Sequence, residues 1–183
     1  MRERYVEQVR LLMRLLPAIA AEEVFALKGG SAINLFYRDM PRLSVDIDLT
    51  YVPIEDRAVS LQQIDATLDR IMDSFGRSNR DVRLQRIAGG GNLETRIMAS
   101  RGAASVKIET SPVMRGTVLS PVPMRVSDAV EEAFGFAEMP VLAFEDLFAG
   151  KLHAALDRQH PRDLYDVHLL YENEGLTDDL FRV

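Results

Sequence analysis

KGGSAINLFYRDMPRLSVDIDLTY, residues 28–51, is the stretch on which the reading of this chain turns. It sets Gly29-Gly30-Ser31 ahead of Val45-Asp46-Ile47-Asp48-Leu49. In an extended strand, residues two apart point to the same face, so Asp46 and Asp48 aim two carboxylates one way while Val45, Ile47 and Leu49 face the other. Like charges held this close repel unless a cation or a proton sits between them. An oxygen-rich pair of this kind suits magnesium, which is usually held by one or two carboxylates together with substrate phosphates. The Gly-Gly-Ser turn strengthens the signal, because it lets backbone amides approach a phosphate.

The surrounding composition is that of an ordinary globular protein. The chain has 183 residues, 47% hydrophobic and 27% charged, enough for one domain with a real core. A net charge of -6 supplies no global field to attract nucleic acid, so any such contact needs a local basic patch. There are no cysteines, which excludes disulfides and thiolate metal sites. No signal-peptide core follows the charged N-terminus, and no apolar run reaches membrane-spanning length, so a cytoplasmic protein is expected.

Apolar spacing predicts a helix over residues 4–16, interrupted by Pro17, and a second short helix over 18–23. Val24–Leu27 reads as a buried strand. Ser31 reads as the N-cap of a helix that Met40-Pro41 ends. Residues 44–51 form the strand bearing the two aspartates, and Glu55–Phe75 is amphipathic at helical period. Strands follow over 82–87, 93–99 and 104–110, with Gly89-Gly90-Gly91-Asn92 as a hairpin turn rather than a phosphate loop. Residues 111–137 are mixed, 139–143 read as a short strand, and 144–156 and 163–171 as helices. Apolar residues after Thr177-Asp178-Asp179 look like a helix start that breaks off, the mark of a truncated chain. Together these elements argue α+β with a mixed or antiparallel sheet, dividing into a core over 1–143 and a C-terminal helical segment over 144–183.

The glycine-serine turn followed by Asp-x-Asp resembles the polymerase-β-like nucleotidyltransferase superfamily. Fourteen residues separate Ser31 from Asp46. That is slightly long for the signature, so an extended loop around Arg38–Leu43 is expected. The wider match is to LKGGSAINLFYRDMPRLSVDIDLTY together with GKLHAALDRQHPRDLYDVHLL, which resemble the AbiEii/AbiGii toxins of type IV toxin–antitoxin and abortive-infection systems. The resemblance implies a polymerase-β-like core with C-terminal helices, a nucleoside triphosphate substrate and Mg2+ (or Mn2+). It also implies a toxin role, an RNA acceptor such as tRNA, and a cognate antitoxin.

The same resemblance assigns roles to particular residues. Asp46 and Asp48 hold the metal. Gly29, Gly30 and Ser31 cradle phosphates. A third carboxylate is needed on a neighbouring strand. Glu109 is the candidate, since Lys107 and Glu109 alternate with Val106 and Ile108 and face one side; it completes the second metal site or acts as base. A plain solvated strand face is the competing reading for that pair. Lys151 shares a helical stripe with Phe144, Leu147, Phe148 and Ala155, and a lysine on such a face more often snorkels than serves a site. The family motif implies a nucleotide-phosphate contact for it and, with Lys107, nucleotide binding. Asp163 is well placed as a first-turn helix acid; the motif suggests the active-site rim, pairing with Lys151 or Arg162. The histidines, His153, His160 and His168, lack metal-ligand spacing. Arg77, Arg80, Arg83 and Arg86 read as an RNA-backbone contact or as a solvated sheet edge. The alternatives are transfer to a small molecule or a protein, or a nucleotide-binding module without catalysis.

Overall fold

The structure, a computed structural model, describes residues 2–88 and 95–183. Helix α1 (Arg2–Ala20) leads to strand β1 (Phe25–Lys28), and the helical turn α2 (Gly29–Ala32) runs into a π-helical segment over Ile33–Tyr37. Next come β2 (Ile47–Tyr51), the long α3 (Arg57–Ser78), β3 (Arg83–Ile87), β4 (Arg96–Arg101) and β5 (Ala104–Arg115). The chain continues through β6 (Val122–Arg125), α4 (Asp128–Phe134), β7 (Glu138–Val141), α5 (Phe144–Arg158) and α6 (Pro161–Asn173), with a 3-10 turn at Asp178–Phe181. The strands form one mixed sheet in the order β3-β4-β5-β2-β1-β7-β6. The β1–β7 and β2–β5 pairs are parallel and the others antiparallel. This is the α+β class that the element order implies. Among the described residues no helix is long and apolar enough to cross a membrane.

The sheet has one apolar face. Ile47, Leu49, Ile97, Ala99, Val106 and Ile108 are buried at 1% exposure or less, and α1 lies against β5 and β7. That packing explains the first departure from the sequence reading. Pro17 lies inside α1, which runs unbroken to Ala20, and there is no second helix over 18–23. A proline in a helix interior costs about 3 kcal/mol. Leu11, Leu12, Leu15, Leu16 and Ile19 are all buried to 1% or less, and each is worth roughly 1.5–3 kcal/mol, so the buried face outweighs the proline.

Two further departures lie next to the aspartates. Ser31 does not cap its helix. Gly29, at φ +73°, turns the chain straight into α2, with Lys28 as the extended N-cap residue, and Ser31 is buried inside the first turn. Its hydroxyl instead donates to the backbone carbonyl of Asp46. For the same reason β2 begins at Ile47 rather than at residue 44: the Asp46 carbonyl is held by a side chain outside the ladder. The mixed region 111–137 contains the end of β5, all of β6 and α4, whose N-cap Ser127 accepts from the amide of Val130. The Gly89–Asn92 turn and the first residues of the strand read from Leu93 lie outside the described residues. The strands on either side do pair, from Arg83 with Ser100 to Ile87 with Arg96.

Candidate active site

The polar face of the sheet carries a row of charge. In register, Lys28 of β1 lies across from Asp48 of β2, Asp48 beside Glu109 of β5, and Glu109 across from Arg96 of β4. Cross-strand partners share a face, so four strands present Lys28, Asp48, Glu109 and Arg96 in line, with Lys107 two residues before Glu109. Asp46 enters from the segment just ahead of β2.

Asp46 and Asp48 make no ion pair and no side-chain hydrogen bond with any described residue, whereas Glu109 is fully engaged. Arg96 Nε donates to Glu109 Oε1 at 2.7 Å, its Nη2 donates to the same oxygen, and Lys107 Nζ lies 2.7 Å from Oε2. The electrostatics divide the carboxylates accordingly. Burial pushes the Asp48 carboxyl above its ordinary range, the Asp46 and Glu109 charges add to this, and Lys107 and Lys28 offset it in part. Burial acts the same way on Glu109, but its bonds to Lys107 and Arg96 outweigh it and hold that carboxyl below the usual range. The structure therefore places Glu109 next to Asp48 in the sheet, as the sequence expected, but with its oxygens on two cations. Among the described residues no three carboxylate or imidazole side chains are gathered closely enough to hold a metal as they stand. The donor set is nonetheless all oxygen. Asp48 carries buried negative charge that a divalent cation would neutralise, so the residues fit magnesium.

The glycine turn is shaped by what packs on it. A Cβ at Gly29 would lie 2.7 Å from Asp48 Oδ2, and one at Gly30 would lie 2.6 Å from Ser44 Oγ and 2.7 Å from Arg42 Nη2. Only glycine lets the aspartate and the guanidinium approach from both sides. Asn34 ties the turn to the following loop: its Nδ2 donates to the Gly30 carbonyl at 2.7 Å, and its Oδ1 accepts from the amide of Arg42 at 3.3 Å.

The long spacing between Ser31 and Asp46 has a structural cause. The loop after Tyr37 crosses to the C-terminal helices. Arg38 Nη2 donates to Glu174 Oε2 at 2.6 Å and its guanidinium lies over the Phe148 ring, while Arg42 Nε donates to Asp166 Oδ1 at 2.6 Å. Asp166, buried to 1% exposure, also accepts from Arg42 Nη2 and lies 3.0 Å from Lys151 Nζ. Lys151 Nζ donates to Asp163 Oδ1 at 2.9 Å, and Arg158 Nη2 donates to Asp163 Oδ2 at 2.8 Å. Burial raises the Asp163 carboxyl, but the Lys151 bond and the Lys151 and Arg158 charges hold it below the ordinary range.

Lys151 thus neither snorkels nor stands free for a phosphate. It is a buried ammonium shared by two carboxylates, in a network that reaches Gly30 through Arg42. Asp163 pairs with Lys151, as one of the sequence readings had it, and with Arg158 rather than Arg162. Sequence reasoning missed Arg96 and the Arg42–Asp166 pair. The second had a signal: Asp163 and Asp166, three apart on a helix, share a face. Arg96 had none, since only strand register sets it across from Glu109. Of the basic run, Arg77, Arg80 and Arg83 are exposed, while Arg86 is tied to Asp65 and Asp69. His160 accepts from the Arg162 amide and caps α6.

The sequence model of a family described as "Nucleotidyl transferase AbiEii toxin, Type IV TA system" matches residues 10–183. No curated protein sequence matches the chain. Among solved structures, the fold is similar to MenT4, a nucleotidyltransferase toxin from Mycobacterium tuberculosis H37Rv, with a TM-score of 0.67 and 18% identity; the match covers 98% of this chain and 61% of that one. It is also similar to the antibiotic-resistance factor ANT(2'')-Ia in solution, with a TM-score of 0.51 and 15% identity over 100% of this chain and 90% of that one. A crystal structure of ANT(2'')-Ia in complex with adenylyl-2''-tobramycin gives a TM-score of 0.51 and 17% identity over 92% and 90%. At these identities the likeness is one of fold. The chain spans about three fifths of the length of the MenT4 chain.

Proposed function

Since the chain belongs to the AbiEii family of nucleotidyl transferase toxins of type IV toxin–antitoxin systems, we propose that it transfers a nucleoside monophosphate from a nucleoside triphosphate to an acceptor hydroxyl, with RNA such as tRNA as the acceptor. The observation that carries this reading is the Asp46–Asp48 pair. Neither carboxylate has an ion-pair partner among the described residues, Asp48 lies against the Gly29 turn, and burial first and the Asp46 and Glu109 charges second push its carboxyl up.

In this reading Asp46 and Asp48 hold Mg2+, with Glu109 as the adjoining ligand; when bound, the ion supplies positive charge to the phosphates. Glu109 suits a ligand better than a base, because a carboxyl held below its usual range is a poor proton acceptor. Gly29, Gly30 and Ser31 line the phosphate side, with Ser31 fixing the backbone of Asp46. Lys151 lends its charge through the network with Asp163, trading a carboxylate for a phosphate oxygen, and Lys107 does the same beside Glu109. The acceptor oxygen attacks the α-phosphorus, the bond from that phosphorus to the bridging oxygen breaks, and pyrophosphate leaves. The acceptor's proton passes to solvent.

The exposed Arg77, Arg80 and Arg83 at the β3 end of the sheet favour an RNA backbone as partner. The family implies a cognate antitoxin, and the composition fits the cytoplasm. A small-molecule acceptor is the second reading, favoured by the fold shared with ANT(2'')-Ia. The test is incubation with each α-labelled nucleoside triphosphate, Mg2+ and total RNA. Label recovered in RNA supports the proposal. Label only in protein or small molecules removes the RNA acceptor, and no transfer from any of the four leaves a nucleotide-binding module.

A further inference from the structure

Five cations surround the aspartate pair and the glycine turn, and four are already committed to carboxylates. Arg42 is held by Asp166, Arg96 and Lys107 by Glu109, and Lys151 by Asp163 and Asp166. A substrate phosphate that recruits any of these must break an existing pair. Lys28 is the exception. It makes no ion pair and no side-chain hydrogen bond with a described residue. It ends β1 directly across from Asp48, next in sequence to the Gly29-Gly30 turn, and is partly buried. Asp48 and Glu109 attract this partly buried ammonium across the sheet, but neither forms an ion pair or hydrogen bond with it, so an anion arriving there meets a cation with no contact to break.

The order of the row adds a direction. Glu109 flanks Asp48 on one side and Lys28 on the other. In an in-line displacement the attacking and leaving oxygens lie on opposite sides of the phosphorus. If the acceptor approaches from the Glu109 side, the pyrophosphate departs toward Lys28.

We propose that Lys28 is a binding residue for the phosphate chain of the nucleotide on its leaving-group side, the contact that separates a triphosphate from a monophosphate. This rests on the nucleotidyl-transfer reading above.

The experiment is calorimetric. Wild type, Lys28→Gln and Lys28→Arg are titrated, with Mg2+, against the α,β-methylene analogues of the four nucleoside triphosphates and against the matching monophosphates, and each variant's fold is checked by its thermal midpoint. A lost charged contact should weaken triphosphate binding in Lys28→Gln about tenfold or more, leave monophosphate binding unchanged, and be restored in Lys28→Arg. Triphosphate binding in Lys28→Gln equal to wild type overturns the assignment while leaving the nucleotidyl-transfer reading intact. An equal loss for monophosphate and triphosphate overturns it as well, since that marks a deformed site. Wild type that binds none of the triphosphates sinks the underlying reading and Lys28 with it.

Discussion

Asp166→Asn is the substitution through which the fold should respond most sharply. Asp166 is essentially inaccessible and holds two cations, Arg42 through two nitrogens and Lys151 at 3.0 Å. The amide keeps the size and removes the charge. Lys151 retains Asp163, but Arg42 is left with neutral acceptors only, the new amide oxygen and the Leu43 carbonyl at 3.0 Å. Breaking a buried ion pair from one side costs about 3–5 kcal/mol, because the other charge stays buried. That is a large share of the roughly 5–15 kcal/mol that holds a domain together. At about 2–4 °C per kcal/mol for a chain of this size, the midpoint should fall by about 6–20 °C. The damage should also reach Gly30, where the Arg42 guanidinium packs, so nucleotide binding should weaken even in the folded fraction. Urea and thermal denaturation read the first effect, and a double-mutant cycle with Arg42→Ala isolates the pair, with a coupling of about 1.5 kcal/mol or more expected. A loss below about 1 kcal/mol, or additive single variants, would refute the network's role in tying α6 to the glycine turn.

Gly29→Ala combines a positive φ, which costs about 1–2 kcal/mol for a residue with a Cβ, with a Cβ 2.7 Å from Asp48 Oδ2. It should destabilise by at least that much and, by shifting the aspartate, lower transfer about 100-fold, measured by denaturation and label incorporation. Asp48→Asn should do the opposite to stability. The folded pKa of Asp48 lies above its unfolded value, so the ionised group opposes folding at neutral pH and the penalty fades as pH falls through the folded pKa. Metal-free Asp48→Asn should therefore gain on the order of 1 kcal/mol at pH 7, with the gain shrinking in acid; a loss at pH 7 contradicts the charge-crowding argument. Asp163 carries the reverse sign. Its folded pKa is depressed, so its contribution is present above the unfolded value and is lost as pH falls through the folded one. Asp163→Asn should flatten the acid limb of a stability–pH curve, and an unchanged limb tells against the Lys151–Asp163 pair.

What the sequence made legible follows from what is local. The Asp46/Asp48 alternation, the parity of Lys107 with Glu109 and the helical stripes of α1, α3 and α5 depend on residues a few positions apart, and period alone gives them. The unbroken α1 was not legible, because the burial that offsets Pro17 comes from a sheet assembled later in the chain. The Ser31 role was hidden for the same reason: its partner is a carbonyl fifteen positions away, just ahead of the β2 ladder. Asp163 read as a candidate rim residue, but the role of Asp166 beside it was hidden: its partner Arg42 is 124 positions away, and no spacing rule connects a loop arginine to a helix so distant. The engagement of Glu109 by Arg96 likewise depends on β4–β5 register, which a hairpin signal suggests but does not number.

The central claim is that Asp46 and Asp48 form the centre of a nucleotidyl-transfer site. The most direct measurement compares wild type with Asp46→Asn and Asp48→Asn for transfer from triphosphates labelled at the α- or the γ-phosphate, with Mg2+ and an RNA acceptor. The account predicts that wild type transfers the α-label only and that each variant loses at least about 100-fold of that transfer while remaining folded. Transfer of the γ-label, or α-label transfer that survives either substitution, would contradict it.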